Sequence, residues 1–158
     1  MKRFEETLSL KAHIEGGWCR RTWAGPPADG EGSSAASAIY YAIDPERELI
    51  WHRVGSWELW FYQSGSPTEV ILGGNGSDPR EERRMVLGPD PEEGQFPQLV
   101  IPPDTWQKQK AVEDRQALCS CAVVPGFSFG NWEAIGEDGR RIGEKDALRF
   151  EETGGDGS

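Results

Sequence analysis

The chain has 158 residues, the span of one domain, and its 20 Gly and 11 Pro make up about a fifth of it against roughly 12% in average usage. Helix interiors tolerate neither residue, which excludes a helical bundle, while 7 Trp, 6 Phe and 3 Tyr supply enough bulky surface to exclude wholesale disorder. Asp and Glu outnumber Lys and Arg by 27 to 17, and a formal charge of -10 excludes nucleic acid and membrane surfaces as partners by repulsion from phosphate.

In chain order, Lys2 to Leu10 carries Phe4, Leu8 and Leu10 at helix-like spacing, enough for one or two turns. Gly16-Gly17 breaks it, and Trp18 to Trp23 reads as a strand. Ala24 to Ser34 is a loop by composition. Strand-like runs follow at Ala38 to Ile43, Leu49 to Val54, Trp57 to Tyr62 and Thr68 to Leu72, separated by short stretches of turn residues. Two turn clusters, GGNGSDP and GPDPEEG, flank a short strand at Arg83 to Leu87. Further strands are expected at Gln98 to Ile101, Thr105 to Ala111, Ala117 to Val124 and Trp132 to Ile135. From Gly136 charge dominates. The expected organisation is a single domain over residues 1–150 and a disordered tail over 151–158. So many short strands indicate an all-β sandwich or barrel.

Cys19, Cys119 and Cys121 cannot all pair within one chain. No hydrophobic leader follows Met1, and no apolar run approaches the ~18 residues of a spanning helix. A reduced, cytoplasmic location is therefore expected. Cys119 and Cys121, two apart on one strand face, have the wrong spacing for a redox or zinc pair and read as buried thiols.

The residues that bear on chemistry run from His52 through Gly55-Ser56 to Glu58. A tight Gly55-Ser56 turn would join two antiparallel strands. Alternation puts His52 and Val54 on one face of the first; if Glu58 faces the same interior on the second, so do Trp60 and Tyr62. This spacing resembles the first motif of the cupin superfamily, with Val54 where a second His would stand. Pro102 to Gln107 resembles the second motif, with Asp104 for its Gly and Gln107 for its His.

The chain resembles the DUF985, or cupin-5, branch most closely. His13 to Arg20 looks like its opening "HPEGGYYR". Trp51-His52-Arg53-Val54 with Glu58-Leu59-Trp60 looks like its "HRV..DEIW". Pro102 to Gln107 resembles "VPAGTWQ", and Val124 to Phe129 resembles "APGFDF". Ser37 to Tyr41, Leu87-Gly88, Gly94-Gln95 and Pro97-Gln98 add to the match, which covers residues 4 to 135. Ile14, Cys19, Arg21, Trp57 and Phe61 depart from the pattern. The resemblance implies a double-stranded β-helix, a cupin jelly-roll barrel, with a short N-terminal helix. It also implies a homodimer formed through an outer sheet face bearing Leu59 and Phe61.

Within that expectation His52 and Glu58 are the candidate catalytic pair, since an imidazole beside a carboxylate can move a proton near neutral pH. Glu15, Arg20, Trp60, Tyr62, Gln98 and Gln107 are the candidate ligand-binding residues. Their mixture of aromatic faces and hydrogen-bonding groups suits a sugar or nucleotide-type ligand. The expected function is a small-molecule-binding cupin, of isomerase or epimerase type, acting by proton transfer in the barrel pocket. The alternatives are a non-catalytic binding or sensing protein, and a metal-dependent oxygenase or isomerase using His52, Glu58 and Gln107. Two strong ligands and a neutral amide suit a divalent ion poorly, so no cofactor is expected. A lone His in a β barrel can equally be a core residue with its hydrogen bonds met.

Overall fold

A computed structural model describes residues 2–153. The elements are α1 (Phe4–Thr7), β1 (Lys11–Ala12), β2 (Trp18–Ala24), β3 (Ser37–Ile43), β4 (Trp51–Val54), β5 (Trp57–Gly65), β6 (Thr68–Leu72), β7 (Arg83–Leu87), β8 (Gln98–Ile101), β9 (Gln107–Ala111), β10 (Ala117–Val124), β11 (Trp132–Ile135), β12 (Arg141–Ile142) and α2 (Glu144–Glu152). Single 3-10 turns lie at Pro91–Glu93 and Phe129–Asn131.

The strands form two six-stranded antiparallel sheets that face each other. One runs β1-β2-β3-β10-β5-β8 and the other β12-β11-β4-β9-β6-β7. They are not joined by hydrogen bonds into one closed barrel, but the arrangement is the expected jelly roll. β-branched and aromatic residues favour the strands because alternate side chains can be buried between the two layers. In β10, Cys119, Cys121 and Val123 point into the core, and β3 contributes Tyr41 and Ile43 opposite them. Leu49, Val70, Leu87 and Ile101 close the interior, each burial contributing about 1.5–3 kcal/mol.

Several expectations change. β4 starts at Trp51 rather than Leu49, and β9 at Gln107 rather than Thr105. Asp104 takes a positive φ of 61, so the chain is still turning at the expected strand start. His52 and Glu58 do not lie on paired strands: Gly55-Ser56 carries the chain from one sheet to the other, so β4 and β5 face each other across the interior. Two strands of two residues, β1 and β12, have no sequence signal at that length. The charged C-terminal segment contains α2, and Glu151 and Glu152, expected in a disordered tail, complete that helix. Residues 154–158 of that tail lie outside the described residues. Among the described residues no helix is long and apolar enough to cross a membrane.

Candidate functional site

Against the first sheet lies a cavity of about 790 Å³, lined by β1, β2, β3, β5 and β10 and closed by residues 13–15, residues 127–129 and α2. Its wall includes His13, Glu15, Tyr41, Glu58 and Trp60; Lys11, Arg20 and Arg21 lie along it on β1 and β2, and Phe150 and Glu151 come from α2. Backbone geometry explains how Glu15 gets there. A turn is closed by Gly16 N–H donating to the His13 carbonyl at 3.0 Å and by His13 N–H donating to the Gly17 carbonyl at 3.0 Å. Gly17 has φ +71, and a Cβ there would come within 2.5 Å of the Ala42 carbonyl oxygen, so glycine is required. The turn delivers Glu15 into the protein, where it is buried.

Glu15 is held at one oxygen and approached by two imidazoles at the other. The Trp132 indole N–H donates to Oε1 at 2.9 Å. Oε2 lies 3.2 Å from His52 Nε2 and 3.9 Å from His13 Nδ1. The 3.2 Å approach lacks the alignment of a full hydrogen bond, leaving His52 Nε2 without one. The other ring nitrogen, Nδ1, lies 2.8 Å from the Ile50 carbonyl. A carbonyl only accepts, so Nδ1 carries the proton and Nε2 is the basic nitrogen of the neutral ring. An unprotonated Nε2 and an ionised Oε2 at this separation would be two acceptors in contact. One proton between them removes the repulsion.

Burial acts on both groups in the same sense. It pushes the Glu15 carboxyl up from the usual range and the His52 imidazole down, because each charged form loses solvation. His13 is also pushed down by burial, with Glu15 opposing the shift. The Glu58 carboxyl is raised by burial and by Glu15, with His52 opposing. Charge on Glu58 therefore favours the protonated form of His52 across the interior.

Glu58 is oriented by a chain of amides. Gln109 donates to Gln107 Oε1 at 2.7 Å, and Gln107 donates to Glu58 Oε1 at 2.5 Å. The Cys121 thiol donates to Oε2 at 3.3 Å. Trp60 lines the cavity beside Tyr41, their ring centroids 5.8 Å apart, and its buried indole N–H has no protein acceptor. The Tyr41 hydroxyl donates to the Gly16 carbonyl at 2.5 Å.

The expected site residues thus separate. Glu15, Glu58 and Trp60 line the cavity, with Gln107 directly behind Glu58. His52 is buried and approaches Glu15, with no hydrogen bond or ion pair to Glu58 among the described residues. Arg20 reaches the rim, but its guanidinium donates to the Leu8 carbonyl at 2.9 Å and lies over Tyr40. Arg21 pairs with Ile39 on the cavity side of β2. Tyr62 lies apart from the cavity wall, its hydroxyl bonded to the Gly65 carbonyl at 2.9 Å. Gln98 is exposed opposite Phe61 on the outer face and does not reach the cavity.

His13 and Tyr41 are cavity residues that reading by strand parity did not select. Tyr41 had a readable signal, since it lies two positions from Ile39 and so shares its face of the strand. Among the described residues, no three His, Cys, Asp or Glu side chains are gathered as a metal ion needs. Gln107 turns its amide nitrogen, a donor, toward Glu58, and Val54 offers no ligand. This donor set does not fit a divalent ion.

Two facing antiparallel sheets enclosing an inward-facing polar site define the class of small jelly-roll proteins known as cupins. The Cupin superfamily (DUF985) family model matches residues 2–135, and the chain belongs to that family. Solved structures agree in fold. A hypothetical protein from Leishmania major is 23% identical with a TM-score of 0.74, over 86% of this chain and 87% of that one. A Shewanella oneidensis protein is 23% identical with a TM-score of 0.78, over 87% of each chain. A dTDP sugar isomerase from Desulfovibrio desulfuricans is 20% identical with a TM-score of 0.54, over 77% of this chain and 83% of that one. A search of curated proteins returns no match.

Proposed function

We propose that the cavity binds a small polar ligand of the sugar or nucleotide type and moves a proton on it, as an isomerase or epimerase does. The observation that supports this is the 3.2 Å approach of Glu15 Oε2 to the basic nitrogen of His52. Glu15 touches the cavity and His52 stands behind it, so the carboxyl is the group that meets the ligand and the imidazole stores its proton. Burial favours the neutral pair, with the shared proton on Glu15; its transfer to His52 Nε2 frees the carboxylate, which takes a proton from carbon beside a ligand carbonyl. The C–H bond breaks, an O–H bond forms on Glu15, and the electron pair moves onto the carbonyl oxygen. The buried Trp60 N–H has no protein acceptor, and a shift of its ring on binding would bring a donor to that oxygen. The isomer forms when Glu15 returns the proton to the former carbonyl carbon while the hydroxyl proton on the deprotonated carbon passes to the oxyanion, so that the C=O bond re-forms there. The epimer forms when a proton from solvent reaches the deprotonated carbon on its opposite face and the oxyanion re-forms the original carbonyl. The dTDP sugar isomerase shares the fold and adds support at that level only.

The test starts from a thermal-shift screen with free sugars, sugar phosphates and nucleotides. A ligand at 100 times its Kd stabilises the native state by about 2.7 kcal/mol. The hit is then incubated in heavy water and followed by proton NMR. The expected result is loss of one carbon-bound proton signal, abolished in Glu15→Gln and at least tenfold slower in His52→Ala. A protein that binds the hit with no exchange is a sensor or carrier instead.

A further inference from the structure

The family match ends at residue 135, yet two residues of α2, Phe150 and Glu151, line the cavity. The helix is fixed in place. Ala147 is fully buried in a cluster with Ile50, Trp132 and Ala134, with Ile14 and Phe129 packed against it. Asp146 accepts from the Gly143 backbone N–H at 3.1 Å and caps the first turn. Lys11, Arg20 and Arg21 line the same cavity from β1 and β2. Among the described residues, none of these three cations nor Glu151 is in an ion pair; Arg20 donates to the Leu8 carbonyl at 2.9 Å and Arg21 to the Phe127 carbonyl at 3.3 Å, contacts that leave their charges unneutralised.

We propose that α2 is the outer wall of the cavity and selects its ligand: Phe150 sets the width of the opening, and Glu151 opposes the cations on β1 and β2. The site then takes a ligand whose anionic group lies at Lys11 and Arg21 and whose face toward α2 is uncharged. A ligand with negative charge on both faces is turned away. This selection operates whether or not Glu15 transfers a proton, so the two proposals fail separately.

Cys19 is a reporter built into the wall. It lines the cavity, while Cys119 and Cys121 are buried in the core. Burial, with Glu15 and Glu151, pushes its thiol up to about 12, and Arg21 opposes them. The full-length protein is treated with methanethiosulfonate reagents bearing a sulfonate, a trimethylammonium or no charge, and Cys19 modification is timed by peptide mass spectrometry. Any change in thiol acidity scales all three rates together, so the ratio of anionic to cationic rates isolates the field at the opening. Removing one charge that flanks the thiol is expected to change that ratio about threefold or more.

Glu151→Gln is expected to raise the ratio by that amount and Arg21→Gln to lower it. Phe150→Ala is expected to speed the uncharged reagent at least fivefold. Ala147→Asp, which undocks α2, provides a second route to the same opening. Ratios within 1.5-fold of the parent in Glu151→Gln, together with an unchanged neutral rate in Phe150→Ala and Ala147→Asp, overturn the proposal.

Discussion

At residue scale, the carbonyl of Ile50 decides where the His52 proton sits, and that choice turns Nε2 toward Glu15. Trp132 supports the same carboxyl from the other oxygen. Trp132→Phe removes the donor while keeping most of the ring, and a loss of about 1–3 kcal/mol in urea unfolding is expected for the buried oxygen left unpaired. The pH dependence has two opposed parts. His13 and His52 are depressed, so their contribution is present above the ordinary histidine value of 6.5 and is lost as pH falls below it. Glu15 and Glu58 are raised, so their contribution is present below 4.5 and is lost as pH rises through their folded values. Relative to the parent, Glu58→Gln should therefore gain more Tm at pH 8 than at pH 5. Equal shifts at the two pH values would show that Glu58 is not raised.

At element scale, the turn before β2 places Glu15, and the outer face of the first sheet is left open. Gly17→Ala combines a positive φ with a 2.5 Å approach to the Ala42 carbonyl oxygen, and a cost of about 2–3 kcal/mol in chemical denaturation is expected. On the outer face Val100, Leu59, Ala122, Ala38 and Trp23 form a row across five strands. Trp57, Val100 and Val124 are 48, 50 and 42% exposed. None of these residues is charged, so two copies of a chain of charge -10 can meet there without like charges in contact. The homodimer expected from the sequence is tested on this face: the parent is expected to be a dimer in light scattering and Leu59→Glu a monomer. A parent protein already monomeric at 100 μM would contradict it. The central strands were readable because β3, β5 and β10 alternate or run apolar over seven to nine residues. α2 was not, because a nine-residue helix that buries a single Ala among charged residues carries too little apolar period.

At the scale of the whole molecule, the jelly roll was legible from strand count, turn spacing and the family motifs. The interior placement of His52, Glu58 and Trp60 was legible from alternation and motif position. The partner of His52 was not, because strand parity says which face a residue takes and not which sheet lies opposite. Reading Gly55-Ser56 as a hairpin paired His52 with Glu58, whereas the chain crosses between sheets there. A turn outside any strand then brings Glu15 to His52 from 37 positions away. Tyr62 and Gln98 were misplaced for a related reason: one lies beyond the cavity on its own strand, the other on the outer face of an edge strand.

The most direct measurement is NMR of the protein labelled with 15N-histidine, since the chain has only 2 His and the ring signals are readily assigned. The account predicts that His52 Nδ1 carries a proton at neutral pH and that the Nε2 resonance moves in Glu15→Gln while that of Glu58→Gln moves less. A His52 ring protonated at Nε2 with a bare Nδ1, or an Nε2 signal indifferent to Glu15, would contradict it.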